Sequence, residues 1–216
     1  MQPTQQSTQP SAISLQRAGL MTGLALLLTA LPASAHHAMG NRLPSNAFEG
    51  FMSGLAHPVI GLDHLAFVAA SGLVAIGVKR GWIVPVVFAI AALAGTGLHL
   101  QSWDLPFPEV IVSASVVLFG MLLAGGRQLP LLALAAIALV AGIFHGYAYG
   151  ESIVGAGMVP LTAYLVGFTA IQLAIALGVR LALVKVTQGA IAQPLRYSGF
   201  AIAGAGAAFL AAALGA

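Results

Sequence analysis

Six apolar stretches, each about twenty residues long and separated by short polar turns, constrain this chain more than any other feature. They run over Pro58–Val78, Trp82–Leu100, Pro108–Ala124, Leu129–Tyr149, Val159–Val184 and Tyr197–Leu214. That is the length a helix needs to cross a hydrocarbon core about 30 Å thick. The chain is 59% hydrophobic and 6% charged, against roughly 25% charged in a soluble domain, so its solvent is lipid. The expected fold is an all-α integral membrane protein, a bundle of six transmembrane helices. Eight basic against five acidic residues are too few for a nucleic-acid footprint. Cysteine is absent, which removes disulfides and thiolate ligands. A bound metal would be held by imidazole, carboxylate, carbonyl or water, a donor set that favours nickel, cobalt, zinc, manganese or iron over copper(I).

The amino terminus has a polar lead, then Arg17, an apolar run from Leu20 to Leu31, and Ala33-Ser34-Ala35. A basic residue, a short apolar region and an A-x-A site describe a secretory signal peptide. Residues 1–35 are therefore expected to be removed, leaving 36–216 as a single six-helix domain that starts at His36-His37. Lys79, Arg80, Arg127, Arg180, Lys185 and Arg196 fall at alternate ends of successive spans, and Asp104, Glu109, Glu151 and Glu49 at the opposite ends, with Arg42 the one basic exception there. The positive-inside rule makes the basic side cytoplasmic. Both mature termini then lie outside, in the periplasm of a Gram-negative inner membrane. Phe48 to Ala56 reads as a mildly amphipathic lead that lies at the interface or extends the first span. Trp82, Trp103, Tyr147 and Tyr149 fit an aromatic belt. Gly199, Ala203 and Gly206 in the last span lie at offsets that let backbones approach, either within the bundle or between protomers of a homo-oligomer.

The ionisable residues inside these spans are the unusual part. A carboxylate near the membrane centre costs about 2.5–3.5 kcal/mol on insertion scales, yet Asp63 and His64 open the first span. Counting from the basic ends at about 1.5 Å per residue puts Asp63, His64, His99, Glu109 and His145 roughly 21–25 Å up four different helices. His57 and Glu151 fall just above that layer. Pro58 suits a first helical position, which makes His57 a cap or kink residue. On a straight helix His57 and His64 share a face, and Asp63 points about 100° away. A divalent cation would relieve the repulsion among Asp63, Glu109 and Glu151. Protonation of an empty site is the other remedy. Each outlying member also has a bland reading: His99 as a helix cap, Glu109 as a first-turn acid on the helix dipole, Glu151 as a solvated loop residue.

Three segments carry a likeness to a known family. They are Gly54-Leu-Ala-His57-Pro-x-x-Gly61-x-Asp63-His64, Phe107-Pro108-Glu109, and Phe144-His145-Gly-x-Ala-x-Gly150-Glu151. With the signal peptide and its His-rich start, they resemble the HupE/UreJ family, small membrane proteins associated with nickel supply to hydrogenase and urease. The resemblance implies a nickel or cobalt permease and metal-handling roles for His57, Asp63, His64, His145, Glu109 and Glu151. It also implies a functional phenylalanine in the second span at Phe88, and an additional His in relatives where this chain has Tyr149.

The function expected is thus a permease for a divalent transition metal, nickel(II) first, with cobalt or zinc as alternatives. Neither Lys79 nor Lys185 sits in a phosphate-loop glycine pattern, so the chain would carry its cargo without ATP. Two rival readings use the same residues: an intramembrane zinc hydrolase, and a metal chaperone or sensor that does not transport. Ser71, Ser115 and Gln172 are nearly all the polar groups offered by the cytoplasmic halves, and a conduction path through them is not visible in the sequence.

Overall fold

The computed structural model describes residues 42–187 and 190–215. The expected leader, its cleavage point and His36-His37 lie outside the described residues. Among these there are seven α-helices: α1 (Ala47–Ile60), α2 (Leu62–Val74), α3 (Ile83–Leu100), α4 (Pro108–Ala124), α5 (Leu131–Gly150), α6 (Met158–Thr187) and α7 (Ala192–Ala213). Helices α3, α5, α6 and α7 are each long and apolar enough to cross a membrane. Helices α1 and α2 together make a broken fifth span, and α4 is apolar but has 17 residues. The chain is an all-helical, multi-pass membrane protein.

The first span differs from its expectation. A single helix over Pro58–Val78 was expected, with His57 as a cap or kink residue before it. Instead His57 and Pro58 both lie inside α1, and α2 starts at Leu62, bent by 81° from α1. The reason lies upstream. The Asn46 side chain accepts from Glu49 N at 3.0 Å, and the Glu49 carboxylate reaches back to Ser45 N at 2.8 Å and to both Arg42 terminal nitrogens at 3.0 Å. This capping arrangement satisfies donors at the helix start, so the helix is already formed eleven residues before Pro58. Proline there removes a donor and crowds the preceding turn. Three residues later Gly61 leaves helical space at φ −73°, ψ 97°, and its N–H closes α1 on His57 O at 3.0 Å. Asp63 Oδ1 then accepts from His64 N at 2.8 Å and opens α2. Helix α2 stops at Val74, because the following turns contain Gly77 at φ +84° and Arg80 at φ 59°.

The loop expected over Lys185–Arg196 is also shorter, since α6 runs to Thr187 and α7 begins at Ala192. Pro194 falls in the first turn of α7, where no intrahelical N–H is lost.

Close backbone contacts pair the helices. The most extensive pairs are α3 with α5, α4 with α7, and α1 with α6. A Cβ on Gly146 would run into the carbonyl of Ala92, and one on Gly54 into that of Tyr164. Gly199 and Gly206 of α7 pack on Leu123-Ala124 and Val116-Val117 of α4, and Gly120 of α4 packs on Ala203. Of the two roles open to this small-residue face, packing inside the bundle is the one observed. At the basic end, Arg180 Nη1 donates to Ala75 O at 2.9 Å and Arg196 Nε to Ala124 O at 3.2 Å. Both guanidiniums thereby meet carbonyls at helix C-termini, where positive charge is favourable.

Candidate metal centre

The break at Gly61 decides where two of the imidazoles go. His57 lies in the last turn of α1 and His64 in the first turn of α2, and the bend brings their ring centroids to 6.0 Å. A Cβ on Gly61 would meet His64 Cδ2 and Asp63 Oδ1, so the residue at the bend has to be small. His145, five residues before the end of α5, completes the group. Its Nδ1 lies 2.9 Å from His64 Nδ1. All three rings are buried.

The hydrogen bonds around them assign protons. Ser115 Oγ lies 2.6 Å from Val112 O and 3.0 Å from His145 Nε2. Two oxygens at 2.6 Å need a proton between them, and Ser115 has one to give. Its hydroxyl therefore accepts from His145 Nε2–H. In its neutral form His145 is then bare at Nδ1 and accepts from His64 Nδ1–H, and a neutral His64 would carry its lone pair at Nε2. A ligating His commonly donates its other ring nitrogen in this way. The Nδ1 edge of His57 is held similarly, by Ser152 Oγ at 2.9 Å and Tyr164 OH at 3.0 Å. Both hydroxyls are also within reach of Tyr149 O.

Aromatic rings wall the group. Tyr149 is tilted on His64 at 4.2 Å and edge-on to His57 at 4.9 Å. Phe67 packs on His145 at 4.6 Å, with Phe88 edge-on to the same ring at 5.4 Å. Tyr149 is fully buried, not part of an interfacial belt, and its hydroxyl has no hydrogen-bond partner among the described residues. Trp82 and Trp103 do stand exposed, at 53% and 62%.

The expected layer therefore assembles in part. His57, His64 and His145 meet, with half-buried Asp63 beside them. Glu109, in the first turn of α4, and Glu151, directly after α5, are exposed. His99, in the last turn of α3, packs on the Tyr147 ring at 4.4 Å and against Gly150. Among the described residues no three His, Asp or Glu side chains are placed so that they could hold a metal ion together. Ser115, expected among the polar groups of the cytoplasmic half, belongs to the centre. Ser152 and Tyr164 were not anticipated either. Tyr149 was within reach of sequence reasoning, since it lies four residues after His145 on the same helical face.

The family model for HupE / UreJ protein matches residues 24–209. The chain belongs to the HupE/UreJ family. Among its relatives, Protein HupE of Rhizobium leguminosarum bv. viciae is 34% identical over 195 residues, which span 88% of this chain and 96% of the relative. No solved structure matches the chain. The HupE/UreJ match takes in every helix that contributes to the centre, so the broken first span and the three imidazoles lie within the matched residues.

Proposed function

We propose that this HupE/UreJ protein is a permease that moves nickel(II) inward across the membrane without ATP, serving maturation of a hydrogenase or urease. The observation that carries this reading is the broken first span. Discontinuous helices at membrane depth occur where backbone lines a binding site, and here the break delivers His57 and His64 to His145. Imidazole with a carboxylate is a borderline donor set suited to nickel. Asp63 supplies the carboxylate at the centre. Glu109 and Glu151, exposed near the same end, collect the ion before it enters. Helix α4, at 17 residues, is within the range that spans a bilayer and is the sixth crossing. The basic ends of the helices face the cytoplasm.

A dication moving inward gains ~4.6 kcal/mol per 100 mV of inside-negative potential, which is enough driving force without a nucleotide. The test is uptake into proteoliposomes of the purified protein, with nickel, cobalt and zinc in turn and with the potential imposed or collapsed. Saturable nickel entry that follows the potential is the expected result. Tight binding without entry would instead mark a chaperone or sensor.

A further inference from the structure

Between the imidazole centre and the basic end of the bundle, one buried polar side chain has an atom left over. Gln172 of α6 is 1% exposed. Its Nε2 donates to Phe168 O at 3.0 Å, one turn back in its own helix. Its Oε1 is buried with no hydrogen-bond partner among the described residues. Such an acceptor costs free energy at membrane depth, because no bulk water is at hand to compensate.

Its position is informative. Tyr164, Phe168, Gln172 and Ala176 form one i, i+4 ridge on α6, and all four are buried. Tyr164 holds His57 at the top of this ridge. Phe168 belongs to the apolar cluster around Tyr149 and Tyr164, whereas Ala176 belongs to the cluster around Phe67 and Phe119. Gln172 thus stands where the two apolar clusters meet, roughly 12 Å along the helix from Tyr164. One step beyond Ala176 on the ridge, Arg180 ties α6 to the end of α2.

We propose that Gln172 is an inner relay for the transported dication, its amide oxygen taking the ion after it leaves the imidazole centre. This rests on the permease reading above. A neutral amide oxygen holds a dication more weakly than imidazole with carboxylate does. Conduction requires sites weak enough to leave as well as favourable enough to enter. A cation at Oε1 also supplies the partner this buried atom otherwise lacks.

The experiment compares wild type, Gln172→Met and Gln172→Glu in proteoliposomes under an inside-negative potential, measuring initial nickel uptake against concentration. Nickel binding to the detergent-solubilised proteins is measured alongside. Gln172→Met is close to glutamine in volume and removes the oxygen. It should lower the maximal uptake rate at least tenfold while nickel binding at the imidazole centre stays at the wild-type affinity, which also reports that the variant is folded. Gln172→Glu keeps an oxygen at the same place but as a carboxylate that holds the dication more tightly, so uptake should persist at a reduced maximal rate. Wild-type rates in Gln172→Met would overturn the relay and leave the permease standing. Should Gln172→Met fail to bind nickel, the relay stands only if Gln172→Glu binds and transports, and falls if Gln172→Glu binds but does not transport. Absence of uptake by wild type itself would sink the permease reading, and the relay with it.

Discussion

Ser115 has a single proton, and Val112 O takes it at 2.6 Å. What remains is an acceptor that sets the tautomer of His145 and, through it, that of His64. Ser115→Ala should therefore weaken nickel binding, by about 10–100-fold if it behaves like other outer-shell partners of ligating histidines. Calorimetry on the detergent-purified protein measures this, and an unchanged affinity would mean that the Ser115–His145 contact does not orient the ligand. Asp63→Asn removes the half-buried carboxylate next to His64 and keeps its shape. Uptake in proteoliposomes should be abolished, and normal uptake would remove Asp63 from the centre. Much of the residue-level pattern was open to inspection in the sequence, because His and Asp are rare in apolar runs and mark themselves. Ser115, Ser152 and Tyr164 were not, since hydroxyls are unremarkable in membrane helices and their meaning depends on what faces them.

At the scale of elements, the break at Gly61 separates what patterning can reveal from what it cannot. An apolar run long enough to span a bilayer reads as one straight helix whether or not it bends. The bend follows from the Asn46–Glu49 cap upstream, which commits α1 to a register in which Pro58 arrives late. Helix pairing, by contrast, depends on close backbone approach. Gly146 lies against Ala92 so tightly that any side chain must push α5 and α3 apart. Gly146→Val should destabilise the protein by about 1–3 kcal/mol, the usual cost of overpacking, seen as a lower thermal midpoint in detergent. A midpoint equal to wild type would mean that the α3–α5 contact is looser than its geometry.

For the whole molecule, the distribution of charge is the organising fact. Lys79, Arg80, Arg127, Lys185 and Arg196 mark one end of the bundle, and Asp104, Glu109 and Glu151 mark the other. The chain contains no cysteine, so introduced thiols report sidedness without background. In right-side-out vesicles Glu151→Cys should react with an impermeant maleimide, and Arg127→Cys should react only after the membrane is opened. Labelling of both from one side would overturn the proposed orientation.

What the sequence determined by itself was the solvent, the helical class and the residues whose chemistry stands out against lipid, because hydropathy and burial cost are properties of residue types. Only the tertiary structure decided that His57 and His64 come from two helices and not one, that Glu109 and Glu151 stay at the surface, and that Tyr149 is interior. Those outcomes depend on which backbones can approach one another and where a capped helix is forced to end, and these are relations between distant residues that no single stretch of chain contains.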